Sequence, residues 1–474
     1  PISCTMIDQL PLLPNGKINK AKLPVPAVIS PSKENHELTP IEAKIINIMK
    51  DVLNVAEVHV QDNFFSIGGD SISAIQVAAN AQDKQINLTT HQIFTEQTIE
   101  AICAAVEFTE PQISQDASQG QLNLLPIQRE FIENGFLHGQ VPQQVMLFDT
   151  VEALNESSLA SIVNALYTKH DALRLSFEHS EEQGIAHFKD AWTEENVITY
   201  VDIAKDAEND INLALEQQAR KLQKRHGALL DVVVFRQNTR WQKLAFLVHP
   251  LIVDALSWHI LKQDISTCIQ QLQKGQPLIL QKLSDSIQAW SDALQHGFAS
   301  GSIESNRHYW QQQVKNATER QPSKPGLSEN IDVHLSQEVT SQLFEQVSNL
   351  KADLPELIIS AIASAFNKHS NKRNLLVELK SHGRYPISRD CNIENTLGWF
   401  VSTYPQNIAL AQEACPTQQL RAVKESIRSV PDWGLSYGLA KYANGSKDET
   451  LHYEADIAFN FIGKFSVQDD LAAN

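Results

Sequence analysis

Four residues, Gly68-Gly69-Asp70-Ser71, constrain this chain more than any others, because they combine a sharp turn, a helix cap and a hydroxyl in one short run. Paired glycines let the chain turn without a Cβ penalty. Asp70 is a capping residue type, and Ile72, Ile75 and Ala79 follow at helical spacing, which predicts a helix opening at Ser71. Ser71 is then expected exposed on the first turn. A phosphodiester attached there would meet backbone N–H groups and the positive end of the helix dipole, so the pattern suits a phosphorylated prosthetic arm.

With 474 residues the chain exceeds one ordinary domain, so two or three folding units are expected, at least one with a large core. A net charge of −17 and a pI near 5.4 argue against a nucleic-acid surface, which needs clustered Lys and Arg. Cys4, Cys103, Cys268, Cys391 and Cys415 show no metal spacing. Their odd number, without a signal peptide, points to free thiols in a reducing, cytoplasmic compartment. Apolar runs such as Leu244 to Val248 and Leu357 to Phe366 fall far short of the roughly 20 residues a bilayer helix needs, so no membrane partner is expected.

In chain order, Asn15-Gly16 marks a hairpin-like corner with Lys17 just beyond it. Residues from about Val25 to Glu37, with Pro24, Pro26 and Pro31 beside Ser30 and Ser32, read as a linker. Thr39-Pro-Ile-Glu42 has the order of a capping box, and Ile41, Ile45, Ile48, Met49 and Leu53 continue at helical spacing. Thr98 starts another helix carrying Ile99, Ile102, Cys103 and Val106 on one face. About four short helices are therefore expected before a second Pro/Gln/Ser-rich linker. From Leu122 the pattern becomes mixed α/β: Val145 to Phe148, Leu244 to Val248 and Ile457 to Phe461 read as strands, Asn155 to His170 and Ser257 to Gln273 as helices. Ser257 and Trp258 are expected to cap and pack the latter helix.

Asp62 to Ile75 resembles the phosphopantetheine attachment motif of the peptidyl carrier domains of nonribosomal peptide synthetases. The resemblance implies 4'-phosphopantetheine on Ser71; aspartate before that serine is the variant usual in carriers feeding an epimerization domain. Leu-Pro-Asn-Gly-Lys17 followed by Lys-Leu-Pro24 resembles the last motif of adenylation domains. Leu125 to Phe131 (with Glu130 where tryptophan is common), His249 to Trp258, Ser381-His-Gly-Arg384, Thr396 to Pro405 and Phe459-Asn-Phe-Ile-Gly463 resemble motifs of the condensation superfamily, specifically its epimerization branch. The implied organisation is an adenylation tail (1–27), a linker (28–37), a peptidyl carrier domain (38–108), a linker that lets the carrier swing (109–121) and an epimerization-like domain (122–474). The implied fold class is multidomain: a small four-helix carrier bundle, then an α/β, two-lobed condensation-type domain of the chloramphenicol acetyltransferase-like kind.

The same resemblance names the second domain's candidates. The family reads His-His-x-x-x-Asp-Gly on the floor of a tunnel that admits the pantetheine thioester, with the second histidine as proposed acid/base. Here His249 and Asp254 are present, but Pro250 occupies the second-histidine position. Epimerization domains carry Glu-Gly-His-Gly-Arg, and Lys380 stands at the place of that glutamate, with Glu378 two residues upstream. Asp254 is implied to brace the motif through a salt bridge, His382 to be a further candidate, and Tyr404 and Asn460 to line the tunnel. Each general acid or base contributes about 10²–10⁴-fold, so losing both implies an inactive domain. The alternatives are L-to-D epimerization by other groups such as His382, Glu378 or Tyr404, or condensation-type acyl transfer. Implied partners are a phosphopantetheinyl transferase, an upstream adenylation domain, a downstream condensation domain and an aminoacyl or peptidyl thioester.

Overall fold

The structure is a computed structural model that describes residues 38–53, 55–65, 67–84, 86–106, 116–133, 144–149, 154–179, 184–189, 197–203, 208–224, 229–237, 240–299, 301, 304–315, 329–350, 352–370, 372–385, 391–410, 415–442 and 448–461. The Asn15-Gly16 corner, Lys17 and the 28–37 linker lie outside the described residues, as do 109–115 of the second linker and Ile462 and Gly463 of the last motif.

The first unit contains α1 (Pro40–Leu53), α2 (Ser71–Asp83), α3 (Thr90–Glu96) and α4 (Ile99–Ala105). Side chains at the helix starts satisfy N–H groups that have no partner within the helix. At α1 the expected box is present: the Thr39 N–H donates to Glu42 Oε2 at 2.7 Å and the Glu42 N–H to Thr39 Oγ1 at 3.2 Å. Thr89 and Gln92 form a second box at α3, and Thr98 caps α4. Ile45, Ile48, Met49, Phe64, Val77, Leu88, Ile93, Ile99 and Ile102 share one core. At roughly 1.5–3 kcal/mol per buried large side chain, that core holds together a bundle too small to be stable otherwise.

The second unit has two lobes. The first comprises β1 (Gln121–Leu122), α5 (Pro126–Glu133), β2 (Gln144–Asp149), α6 (Glu156–Lys169), β3 (Leu175–His179), β4 (Gly184–Phe188), β5 (Ile198–Asp202), α7 (Glu208–Lys224), β6 (Leu230–Gln237), β7 (Arg240–Val248), α8 (Ala255–Gln273) and α9 (Ile287–Ala299). Its main sheet runs β2-β7-β6-β5, with β5 parallel to β6 and the other pairs antiparallel. Val232, Val234, Leu244 and Phe246 pack with residues of α6 and α8, whereas Val233, Phe235, Ala245 and Leu247 pack with Ile211 and Leu222 of α7. Both faces are covered, which is why these strands read as continuous apolar runs.

The second lobe comprises α10 (Arg307–Lys315), α11 (Gln337–Leu350), α12 (Leu354–His369), β8 (Asn374–Ser381), β9 (Ser402–Ala409), α13 (Pro416–Arg428), α14 (Leu435–Lys441) and β10 (Ile457–Phe459). Its sheet order is β10-β8-β9. Trp310, Ile359, Val377, Leu379, Ile408, Val423 and Tyr437 form its core. Between β8 and β9 the chain crosses to the other lobe, where Ile393, Leu397 and Phe400 bury in the first lobe's core. Among the described residues no helix is long and apolar enough to cross a membrane.

Two local expectations change. The terminal strand is confined to Ile457–Phe459, and the described end of the second linker is held rather than free. Ser118 Oγ donates to Asp171 Oδ2 at 2.7 Å, Arg174 donates to the Ser118 carbonyl at 2.8 Å, and Lys282 donates to the Asp116 carbonyl at 3.0 Å. The Phe188 N–H adds a bond to the Gly120 carbonyl at 2.9 Å. Asp171 and Arg174 are themselves buried, so this end of the linker is seated on first-lobe side chains with little freedom of their own.

Candidate functional site

At the mouth of α2, Asp70 Oδ1 accepts the Ser73 N–H at 2.8 Å while Ser73 Oγ accepts the Asp70 N–H at 2.7 Å. The cap expected at Asp70 is therefore a full reciprocal box. Gly68, at φ +105°, makes the turn, and Gly69 is required for space, since a Cβ there would run into the Phe64 ring. Ser71 is the first residue of α2, where backbone N–H groups without a partner inside the helix suit a phosphodiester. This mouth also lies near the start of α12: burial pushes the Asp353 carboxyl up, Glu356 adds to it, and Asp70 contributes to the same shift.

The second candidate region begins where β7 ends. His249 is buried, its Nδ1 accepts the Leu251 N–H at 3.2 Å, and its ring lies edge-on to Phe131 at 6.1 Å. Burial lowers its pKa to about 4, so the ring is neutral near pH 7. Pro250 starts the single 3-10 turn Pro250–Ile252, a position where its missing N–H costs no helical bond. Asp254, not Ser257, caps α8: Asp254 Oδ1 accepts the Ser257 N–H and Ser257 Oγ–H, both at 2.8 Å. Ser257 falls on the first turn instead, and its Oγ accepts the Gly398 N–H at 3.1 Å.

Asp254 also holds Arg384. The guanidinium donates to both carboxylate oxygens at 3.0 and 3.1 Å, and its other arm donates to the Ile393 and Thr396 carbonyls, each at 2.7 Å. The Arg384 side chain is 0% exposed. A buried pair of this kind is worth little against an apolar replacement, yet removing one partner strands the other charge. Gly383 makes the approach possible, having φ +68° and no room for a Cβ, which would collide with the Phe400 carbonyl oxygen.

The remaining candidates are scattered. Ser381 ends β8, so His382 lies just past the strand; its Nδ1 accepts the Arg384 N–H at 3.0 Å, and its Nε2 is buried with no partner among the described residues. Burial, then the Arg384 charge, lowers its pKa to about 3. Glu378 and Lys380 share one face of β8, as alternation requires. Glu378 accepts the Tyr453 hydroxyl at 3.0 Å, whereas Lys380 is exposed. The unbroken register, Glu378 with Pro405 and Lys380 with Thr403, leaves no slip that would move Glu378 into the position of Lys380.

Tyr404 lies on β9. It pairs with Leu379, faces away from Lys380, and buries in the second-lobe core with its ring 5.9 Å from Trp310, where burial raises its pKa. It packs that core. Asn460 is exposed just beyond β10. Glu130, at the position where tryptophan was expected, forms an ion pair with Lys441 at 2.8 Å between α5 and α14.

Sequence reasoning missed the contact between the two units. Glu394, on the crossing segment, accepts the Gln82 side-chain amide at 2.8 Å and the backbone N–H of Thr90. Asn395 donates to Gln82 Oε1 at 3.1 Å and to the Ala79 carbonyl at 3.4 Å. All four side chains are buried. Burial raises Glu394 to about 7 while the bonds from Thr90 and Asn392 and the charge of Arg384 pull the other way. Polar residues of α2, α3 and a loop some three hundred positions away carry no period or spacing that could have announced this.

Comparison with known proteins follows these two regions. Residues 43–106 match the phosphopantetheine attachment site and residues 118–473 the condensation domain. A linear gramicidin synthase chain of Brevibacillus parabrevis is 31% identical over all of this chain, and tyrocidine synthase 1 of the same organism 28% identical over 97% of it. The chain spans only 10% of the first relative's length and 44% of the second's. Among solved structures, the epimerization domain from the third module of tyrocidine synthetase B superposes with a TM-score of 0.64 at 23% identity, covering 74% of this chain and 82% of that one. That likeness concerns the fold.

Proposed function

The chain belongs to the condensation-domain family, with a phosphopantetheine carrier domain ahead of the condensation-type domain, and from that premise we propose that it carries an aminoacyl or peptidyl group to an epimerization-type domain that receives it without inverting it. The prosthetic group is 4'-phosphopantetheine on Ser71, and it supplies a terminal thiol that holds the acyl group as a thioester. Asp70 and Gly69 set the attachment turn. The upstream adenylation domain, a downstream condensation domain, a phosphopantetheinyl transferase, a cytoplasmic setting and the division at 28–37 and 109–121 belong to this same reading of the chain as part of a nonribosomal peptide synthetase.

One observation supports the reading of a silent second domain: the turn is built, and Pro250 stands where the family resemblance puts the base. Inverting an α-centre needs a proton removed from one face and another supplied from the opposite face. Pro250 has no titratable group. His249, beside it, is neutral, buried and turned to the Leu251 N–H. His382 at a pKa near 3 is far too weak a base for a proton on carbon near pH 7. Asp254 is occupied by Arg384 and the α8 cap.

The test loads the chain with an aminoacyl-phosphopantetheine and incubates it in deuterated water. The expected outcome is retention of the α-hydrogen by mass spectrometry and a single enantiomer on release. Rapid α-deuteration, abolished by His382→Ala or Glu378→Gln, would show a working epimerase instead. Peptide-bond formation with a supplied acceptor thioester would show condensation.

A further inference from the structure

The crossing segment touches three things at once. Its Glu394 and Asn395 hold the carrier through Gln82, Ala79 and Thr90. Its Ile393 and Thr396 carbonyls hold Arg384, which holds Asp254. Its Leu397 and Phe400 are buried in the first-lobe core, and the Phe400 N–H donates to Asp254 Oδ2 at 3.3 Å. Within the four residues Ile393–Thr396, the carrier contact and the brace of the His249–Asp254 turn are therefore interleaved.

We propose that the Ile393–Thr396 turn is the receptor for the chain's own carrier, with Glu394 reading the carrier surface, and that docking there is coupled to the Arg384–Asp254 brace. Glu394 needs its two carrier donors because a buried carboxylate without partners is expensive. When the carrier leaves, the carboxylate returns to water, the turn relaxes, and the two carbonyls that orient Arg384 relax with it. The two states are thus defined by where Glu394 finds its hydrogen bonds. Gln82 lies eleven positions along α2 from Ser71, about 16 Å at 1.5 Å per residue, so the grip is at the far end of the helix from the attachment turn. The inference rests on reading residues 38–106 as a carrier that visits this domain.

Thr90→Pro is the cleanest probe. It removes one donor to Glu394 at the first position of α3, where proline is tolerated, and Thr89 already has the extended φ −105°, ψ 151° that precedes a proline well. Hydrogen exchange followed by mass spectrometry on the full, unloaded chain reads both ends. Thr90→Pro and Glu394→Ala are expected to speed exchange in α3 and across 391–397, and also in the segment 251–258, by about tenfold or more. Glu394→Gln should fall between. Should Thr90→Pro loosen α1 or α4, Gln82→Ala, which lies outside the carrier core, makes the same measurement.

Faster exchange at the carrier surface with 251–258 unchanged would overturn the coupling, and no change at either place would overturn the docking receptor. Because the chain is unloaded, neither result depends on whether the second domain epimerizes. Failure of the wild-type chain to gain phosphopantetheine mass at Ser71 would instead overturn the carrier reading.

Discussion

Asp70 and Asp254 do the same local job in different surroundings. Each caps a helix, each accepts the N–H of a serine three residues on at 2.8 Å, and each accepts that serine's hydroxyl at 2.8 Å. Around Asp70 the chemistry the turn is built for is complete, with a half-buried cap, a glycine cradle and Ser71 next in sequence. Around Asp254 the frame is complete and more heavily bonded, yet Pro250 stands at the neighbouring position where the family resemblance puts a base. On the proposed reading a turn keeps its architecture while losing its reaction, because cap, ion pair and packing are satisfied by groups other than the one that would move a proton.

The largest effect that could break this contrast comes from restoring the missing groups. Pro250→His with Lys380→Glu should raise α-deuteration of the loaded chain from background by about 10²–10⁴-fold for each group that acts, measured by mass spectrometry. No gain would mean that the frame has drifted along with its residues. Next, Asp254→Ala should destabilise the second domain by about 3–5 kcal/mol in denaturant unfolding, since it strands the Arg384 charge. A loss near 1 kcal/mol, the size of a lost cap, would reduce Asp254 to that role alone.

Acid should separate the regions too. His249, at about 4, lies below the ordinary histidine value of 6.5, so the unfolded chain takes up a proton that the native domain refuses. Its contribution is present above pH 6.5 and is lost as pH falls toward 4, an effect of about 3 kcal/mol; His382 extends the loss toward 3. Glu394, raised to about 7 by burial, works in the opposite direction over the same range, so thermal unfolding of a Glu394→Gln chain between pH 7 and 4 checks the sign, and a second domain that gains stability on acidification in that background would contradict it. The smallest effect sharpens the pairing: Asp70→Ala should cost the carrier about 1 kcal/mol by thermal unfolding, because only a cap is lost.

What was legible in the sequence was local. The Thr39–Glu42 box, the Asp70 cap and the strands at Val145 and Leu244 depend on residues within a turn or a period of one another, so spacing alone exposes them. Asp254 took the cap expected of Ser257 because both are capping residue types, and only the turn's path decides between them. The face that Tyr404 takes was not legible because it depends on register, fixed here by β8. Glu394 and Gln82 are 312 positions apart and meet only because the segment between β8 and β9 leaves its own lobe.

The seated end of the second linker sets the carrier's range. Val106, the last described residue of the carrier, and Asp116, whose carbonyl Lys282 holds, are ten residue steps apart, and whatever path joins them their separation cannot exceed about 36 Å. A short leash raises the local concentration of one partner for the other into the millimolar range when it can span the sites. Affinity too weak to survive between separate molecules then suffices within this one, and a rival polypeptide must come inside that radius to compete.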